Sequence, residues 1–243
     1  MTAPVFFASG LEGVSAGSLF RFEGGDAKHV RVKRIEVGER IDIVDGEGTR
    51  LQSRLVEATA EAVTVEVESV LSEPEGSPRI TLIQALAKNG RDELAIEMAT
   101  ELGVDRVIAW QSQRAIVRWD GRKLAKNLAK WENILRAATK QSRRSRVPSL
   151  DFAASAKAAI SLVEGDQLVV MHEAATEPIS KLGALEGPGY ALVVGPEGGI
   201  TDAELAEFER AGARIVLVGE AVMRVSTAVA AGMTSLNIGA GKV

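Results

Sequence analysis

The fold is decided by the stretch Val193-Val194-Gly195-Pro196-Glu197-Gly198-Gly199-Ile200-Thr201. The apolar run Tyr190–Val194 predicts a buried strand, and Thr201 with Glu204 has the spacing of a helix capping box. The glycines between them allow a ligand to approach the backbone and its N–H groups. A tight turn that binds nothing would use the same residues. This loop alone therefore leaves both interpretations open.

Two further loops are predicted to have the same placement. His172-Glu173-Ala174 follows the predicted strand Gln167–Met171, and Leu217-Val218-Gly219-Glu220 ends the predicted strand Arg214–Val218. In an open parallel sheet, loops at the carboxyl ends of strands form the ligand site. Three such loops predict a pocket for a small molecule. For His172, lining that pocket and satisfying its own loop remain equally good alternatives.

Outward from these loops, strands and helices alternate. Strands are predicted at Ile80–Leu86 and Val104–Trp110, and helices at Glu93–Leu102, residues 124–138, Asp202–Ala211 and Thr227–Asn237. The alternation predicts an α/β fold with a parallel sheet and helices on both faces.

The N-terminal part has a different pattern. Residues 1–72 are strand-rich, with predicted strands at Arg40–Val44, Leu51–Val56 and Val63–Val67 and one short helix near Asp26–Arg34. Residues 73–79 are polar and proline-containing and predict a linker. We therefore expect a small β domain at 1–72 and an α/β domain at 80–243.

Composition limits the classes of function. The chain has 243 residues, 46% hydrophobic and 26% charged, with a net charge of −4, no cysteine and two histidines. These values indicate a globular cytoplasmic protein with no disulfides, metal site, signal peptide or membrane span. Neither G-x-G-x-x-G nor G-x-x-x-x-G-K-[ST] occurs, so common dinucleotide and ATP sites are not supported.

Two basic groups are the candidates for contact with a nucleic acid. Arg136, Lys140, Arg143, Arg144 and Arg146 fall in a segment without acids, and a second group runs from Lys28 to Arg34. Such a run often marks a solvated helix end. Arginines that can bind phosphate with two hydrogen bonds also suit RNA, which we favour here.

Several motifs together resemble a known family. His29-Val-Arg-Val-Lys-Arg34 with Gly38–Gly46, Lys88-Asn-Gly-Arg-Asp92, Glu101-Leu-Gly103, Gln141 with Arg144-Ser-Arg-Val-Pro148, Gly195–Gly199 and Leu217-x-Gly219 with Met223-Arg224 are similar, in this order, to the RsmE family of 16S ribosomal RNA uridine-N3 methyltransferases. The resemblance covers nearly the whole chain, and the ordered set is more specific than any single motif.

The resemblance implies a SPOUT-type fold with a trefoil-knotted parallel sheet, a PUA-like N-terminal domain and a homodimer acting on 16S rRNA in the 30S subunit. It also implies S-adenosyl-L-methionine as the cofactor. We further hypothesise that Arg224 is the catalytic residue, which stabilises the uracil anion or orients the base. The implied cofactor-binding residues are His172, Glu173, Gly195, Pro196, Glu197, Gly198, Gly199, Leu217, Gly219, Met223, Val225, Ser226 and Thr227. The implied RNA-binding residues are Lys28, His29, Arg31, Arg34, Lys88, Arg91, Lys140, Arg143, Arg144 and Arg146.

The chain departs from the family pattern in two segments. In one of them, many relatives have Glu-Gln-x-Gly-Arg, where this chain has Lys140-Gln-Ser-Arg143-Arg144. In the other, many relatives have glutamate in an Arg-x-Glu-Thr-Ala segment, where this chain has Arg224-Val-Ser226-Thr227-Ala228. A role for that glutamate cannot be transferred. Two alternative functions remain: an RNA ribose 2′-O-methyltransferase of the same superfamily, and a non-catalytic RNA-binding factor in ribosome assembly.

Overall fold

The computed structural model describes residues 3–184 and 187–242. They form two compact units, each with its own sheet. The first unit holds the residues up to Glu75 together with Thr139–Val147. The second holds Gly76–Ala138 and the residues from Pro148 onward. The chain thus returns to the first unit for one short segment in the middle of the second.

The first unit contains a five-stranded sheet and one helix. Its elements are β1 (Val5–Phe7), β2 (Leu19–Glu23), α1 (Gly25–Val32), β3 (Arg40–Val44), β4 (Thr49–Ala58) and β5 (Ala62–Ser72). The strand order is β1-β3-β4-β5-β2, with β1 parallel to β3 and the other neighbours antiparallel. This topology confirms the prediction that the N-terminal part is rich in strands.

Alternating side chains give the first unit its core. In β5, Val63, Val65 and Val67 are buried, whereas Glu66 and Glu68 are exposed. Successive side chains of a strand point to opposite faces, so this pattern buries one face of the sheet. Helix α1 contributes its own buried residues, Ala27 and Val30, to the same core.

The second unit contains seven strands and most of the helical residues. Its elements are β6 (Arg79–Ala85), α2 (Arg91–Glu101), β7 (Arg106–Trp110), α3 (Gly121–Gln141, whose last three residues belong to the first unit), β8 (Ser149–Ala153), α4 (Ala156–Ser161), β9 (Gln167–Met171), β10 (Glu177–Pro178), a 3₁₀ helix (Ile179–Leu182), β11 (Gly189–Val194), α5 (Asp202–Arg210), β12 (Arg214–Leu217) and α6 (Val225–Gly239). The strand order is β10-β12-β9-β11-β6-β7-β8, and every neighbouring pair is parallel.

Helices cover both faces of this parallel sheet, as predicted. On one face, Val193 of β11 lies in a buried cluster with residues of α4 and with Phe208 of α5. On the other face, α6 packs against β11 and α2. A Cβ atom built on Gly232 of α6 would lie 2.8 Å from Leu192 Cδ2 and 2.7 Å from Met171 Sδ. Glycine at this position therefore allows α6 to lie close to the strands.

The elements that the sequence pattern did not predict are short or lie at edges. They include β1, β2, β8, β10 and α4. β8 is an edge strand in which only Ala153 is buried, and α4 has six residues without an apolar stripe long enough to recognise. In α3, the side chain of Trp131 is buried and packs edge to face against Trp119.

The described residues lack both a membrane-spanning helix and a cluster of metal ligands. None of their helices combines the length and the apolar character that crossing a bilayer requires. Within residues 3–184 and 187–242, no three histidine or carboxylate side chains are grouped in a way that could hold a metal ion.

Candidate functional site

Three loops of the second unit meet at one edge of its sheet and enclose a cavity. Strands β12, β9 and β11 are adjacent and parallel, so the loops that follow them leave from the same edge. The cavity has a volume of about 320 Å³. Small-molecule sites have volumes of about 300–1,000 Å³, so the cavity is large enough for a small ligand.

Most of the cofactor-binding residues predicted from the sequence line this cavity. They are His172, Glu173, Gly195, Pro196, Glu197, Gly199, Leu217, Gly219, Met223 and Val225. Arg224 and Arg91 lie on its wall as well. Gly198, Ser226 and Thr227 are not among its lining residues: Ser226 is buried in the first turn of α6, and Thr227 is exposed on that helix.

The glycine loop between β11 and α5 requires glycine at specific positions. A Cβ atom on Gly195 would lie 2.7 Å from Ile200 Cγ1, which is too close for any real contact. Gly199 has a φ of +75°, a conformation that favours glycine. The loop ends at Thr201, whose predicted capping box with Glu204 is confirmed. Tight local packing and the cap together fix the shape of this loop.

The loop before α2 contributes charge to the cavity wall. Glu197 Oε1 accepts a hydrogen bond from the Lys88 N–H at 3.2 Å and lies 3.6 Å from Arg91 Nη1. Arg91, which is predicted as an RNA contact, thus lies beside the predicted cofactor residue Glu197. Lys88 is exposed.

Asp92 holds this loop in place. Its Oδ2 accepts the Ala87 N–H at 3.0 Å, and its side chain is buried. Burial raises the pKa of Asp92, and the hydrogen bonds from the Ala87 and Glu93 N–H groups oppose that rise only in part. Arg91 is the residue directly before Asp92 in the Lys88–Asp92 motif. The anchored Asp92 side chain therefore helps to hold Arg91 in position.

His172 satisfies both alternatives left open by the sequence. It lines the cavity, and its Nδ1 accepts the Ala174 N–H at 3.2 Å. An Nδ1 atom that accepts a hydrogen bond cannot carry the proton of the neutral ring, so Nε2 carries it. The neutral imidazole can therefore donate a hydrogen bond through Nε2.

Arg224 lies at the N-terminus of α6. It is exposed, and its carbonyl oxygen accepts the Ala228 N–H at 2.8 Å to begin the helix. The partial positive charge of a helix N-terminus adds to that of the guanidinium group. This end of the cavity therefore favours negative charge.

In the first unit, the predicted RNA-binding residues of α1 and the turn after it are exposed. They are Lys28, His29, Arg31 and Arg34. The buried residues of the helix, Ala27 and Val30, face the core instead. The cations are therefore available to solvent on this unit.

The basic segment Thr139–Val147 is tied to the first unit by its own side chains. Lys140 Nζ forms an ion pair with Asp26 and lies 5.2 Å from the centroid of the Phe6 ring. Arg146 Nε donates to the Glu73 carbonyl oxygen at 3.0 Å. Part of the positive charge predicted for RNA is therefore engaged within the protein.

Arg50 is the centre of this attachment. Its guanidinium donates to Glu73 Oε1 at 2.5 Å, to Asp42 Oδ2 at 3.0 Å and to the Arg143 carbonyl oxygen at 2.9 Å. Burial works to lower the pKa of Arg50, but the hydrogen bond and charge of Glu73 outweigh it and raise the pKa. Burial works to raise the pKa of Glu73, but Arg50 and Ser145 hold it below its usual range. These groups fix the backbone of the basic segment.

Known protein families match the sequence of each unit. A family model described as an RNA methyltransferase domain matches residues 74–237, and one described as an RNA methyltransferase PUA domain matches residues 22–68. The ribosomal RNA small subunit methyltransferase E of Mycobacterium tuberculosis is 36% identical over 244 residues, covering 98% of this chain and 92% of its own. The chain belongs to the ribosomal RNA small subunit methyltransferase E family.

Solved structures give the same relationship within this methyltransferase E family. The enzyme of this name from Neisseria gonorrhoeae, bound to S-adenosyl methionine, has a TM-score of 0.84 and 27% identity, with 98% of each chain covered. A putative methyltransferase from Legionella pneumophila in complex with the same cofactor also has a TM-score of 0.84, at 26% identity and 98% coverage of each chain.

One functional contact of this family member was missed in the sequence. Arg114, in the loop after β7, donates from Nη1 to the Gly198 carbonyl oxygen at 3.2 Å. The Gln113 N–H donates to Glu204 Oε1 at 2.7 Å. These bonds support the glycine loop from outside the cavity. The signal available in the sequence was the polar run Gln111-Ser112-Gln113-Arg114, which follows a strand of the same parallel sheet.

Proposed function

We propose that this chain is an S-adenosylmethionine-dependent methyltransferase that methylates N3 of a specific uridine in 16S ribosomal RNA of the small subunit. Membership in the methyltransferase E family supports the substrate class. The observation that carries the proposal is the cavity enclosed by the glycine loop and its two neighbours.

The residues of the cavity fit the proposed cofactor. Val194, Leu217, Val218 and Met223 give apolar surface for a purine ring. Gly219 and Met223 lie close together in the loop that forms one wall of the cavity, since a Cβ on Gly219 would be in van der Waals contact with Met223 Cε at 3.4 Å. Polar walls come from the loops that bear His172 and the glycines. Bound S-adenosylmethionine would supply an electrophilic methyl group.

The chain's own residues would position and activate the uracil. N3–H is a weak acid, so methylation requires that negative charge on the base and its flanking carbonyls be stabilised. Arg224 caps the positive end of α6 and lines the cavity, which supports our assignment of that role to it. Holding the acceptor nitrogen in line with the methyl group would supply much of the remaining acceleration.

The RNA would be held by cations of both units. Lys28, His29, Arg31 and Arg34 are exposed on the first unit, and Lys88 is exposed on the second. Arginine and lysine contacts to phosphate position an RNA without reading its sequence. The target base would leave its stack to enter the cavity. We assign Lys140, Arg143, Arg144 and Arg146 to the same role, with their backbone fixed by Arg50.

Further parts of the proposal rest on the resemblance. Residues 1–72 would be the PUA-like RNA-binding domain and 80–243 the methyltransferase domain, joined by 73–79. The second unit would contain a SPOUT-type trefoil knot, and two chains would form a cytoplasmic homodimer that completes each site. Light scattering on the purified protein would test the dimer: the mass of a single chain at micromolar concentration would contradict it.

Mass spectrometry tests the reaction itself. Unmodified 16S rRNA and small subunits from a deletion strain would be incubated with the protein and S-adenosylmethionine, then digested to nucleosides. We expect 3-methyluridine in one or both samples. A methyl group on ribose would indicate the 2′-O-methyltransferase alternative. RNA that is bound but unmethylated would favour the assembly-factor alternative.

A further inference from the structure

A third group of cations, all exposed, lies on the second unit, outside the two basic groups described above. Between residues 114 and 130 the chain has six cations and one acid, although its net charge is −4. The cations are Arg114, Arg118, Arg122, Lys123, Lys126 and Lys130, and all are exposed. The first two lie in the loop after β7, and the others lie on the first three turns of α3.

The cations of α3 share one side of the helix. At about 100° per residue, Arg122, Lys123, Lys126 and Lys130 fall within roughly 100° of the helix circumference. The buried residues of the helix, such as Trp131 and Leu135, lie on the other side. The basic stripe therefore faces solvent because packing holds the opposite side in the core.

Three of these cations lack a carboxylate partner within the part of the chain that the structure describes. Lys130 pairs with Glu93. Within residues 3–184 and 187–242, Arg122, Lys123 and Lys126 form no ion pair. Arg118 Nη2 donates to the Gln113 carbonyl oxygen at 2.9 Å. The side chain is exposed, so its other guanidinium N–H groups can donate to a ligand. The positive charge of Arg122, Lys123 and Lys126 is therefore not neutralised by ion pairs with the described residues.

The loop that begins this surface also contacts the glycine loop of the cavity. Arg114 Nη1 donates to Gly198 O at 3.2 Å, and Thr201 Oγ1 lies 3.3 Å from Gln113 Oε1. A Cβ on Gly198 would lie only 3.2 Å from Arg114 Cβ. Through Arg114, the positive surface therefore adjoins the outer side of the glycine loop, whose other residues line the candidate methyl-transfer site.

We propose that Arg118, Arg122, Lys123 and Lys126 form a phosphate-binding surface through which the second unit holds its RNA substrate. The inference rests on the proposed function, which requires RNA to reach the cavity. Exposed cations without carboxylate partners can neutralise phosphates and release counterions. The continuity with the glycine loop favours RNA over an acidic protein, because the phosphates would flank a base entering the cavity.

The test compares two triple variants of equal charge. The first is Arg122→Gln with Lys123→Gln and Lys126→Gln. The control is Lys157→Gln with Lys181→Gln and Arg210→Gln, which are exposed cations elsewhere on the same unit. Binding of the full-length proteins to unmodified 16S rRNA transcript would be measured at several salt concentrations, with S-adenosylmethionine affinity and thermal unfolding measured alongside.

We expect the first variant to bind RNA at least about tenfold more weakly than the control. The magnitude of its negative slope of log K against log salt should be smaller by about 2. Its cofactor affinity and unfolding temperature should match those of the control. Equal RNA affinity and equal salt slopes for the two variants would overturn the inference, and the proposed function would stand if wild type still methylates the RNA. A wild-type protein that does not methylate it would contradict the proposed function separately.

Discussion

Arg91 Nη1 lies 3.6 Å from Glu197 Oε1, and both side chains line the cavity. The pair joins the start of α2 to the glycine loop after β11. Glu197 also accepts the Lys88 N–H, so the loop before α2 and the glycine loop are held by two contacts. A substitution at either residue should therefore reduce the affinity for the cofactor more than the affinity for RNA.

A double-mutant cycle of Arg91→Ala and Glu197→Gln tests this coupling. Both side chains are partly exposed, so the ion pair itself should contribute only about 0.2–1 kcal/mol. We expect each single variant to weaken S-adenosylmethionine binding, with the double variant weaker by less than the sum of the two. Calorimetry gives the affinities. Strict additivity, or a loss confined to RNA binding, would show that the pair does not shape the cofactor site.

Arg224→Ala should remove most of the methyl transfer while leaving cofactor binding largely intact. A group that stabilises developing negative charge typically contributes about 10²–10³ in kcat. Arg224→Lys keeps the charge and should recover part of the rate, whereas Arg210→Ala, on the exposed end of α5, serves as the control. Single-turnover methylation measures the step. Near wild-type rates for Arg224→Ala would remove the catalytic role assigned to it.

The sequence predicted the architecture of the second unit because its strands are nearly continuous apolar runs separated by helices with clear stripes. Tyr190–Val194 and Gln167–Met171 illustrate this, since both became central strands. The same logic placed the three loops at one edge. It did not detect β8, because an edge strand with one buried residue has no strong pattern.

The environment of single charges could not be predicted in the same way. Lys140 was predicted only as an RNA contact, yet it pairs with Asp26, 114 positions away in the sequence. Arg50 and Glu73 were not singled out at all, because their hydrogen bonds depend on tertiary contacts between β4, the end of β5 and the basic segment. The spacing of residues along the chain does not predict such partners, because they are distant in sequence.

Glu73→Gln should lower the free energy of unfolding at pH 7. The pKa of Glu73 is lowered in the folded protein, so its ionised form stabilises the fold above the unfolded-state pKa of about 4.3. That stability is lost as the pH falls through the lower folded-state pKa. The difference between wild type and variant should therefore shrink below about pH 4. Denaturant unfolding at pH 7 and pH 3, with Glu66→Gln as the exposed control, checks the sign; a constant difference would contradict it.

Gly232→Ala should destabilise the second unit. The added Cβ would lie 2.7 Å from Met171 Sδ and 2.8 Å from Leu192 Cδ2, so these side chains or α6 must shift. Overpacking of this kind costs about 1–3 kcal/mol. Gly25→Ala, where a Cβ meets no atom within 4 Å, is the matched control. Thermal unfolding measures both, and equal midpoints for the two variants would show that the α6 packing is looser than the distances indicate.

Calorimetric titration of wild type beside Gly195→Ala tests whether the cavity bounded by the glycine loop binds S-adenosylmethionine. A methyl group at Gly195 would lie 2.7 Å from Ile200 Cγ1 and displace the loop. We predict measurable binding to wild type and at least tenfold weaker binding to Gly195→Ala, with Gly25→Ala unchanged. Equal affinity of all three proteins, or no binding to wild type, would contradict the account.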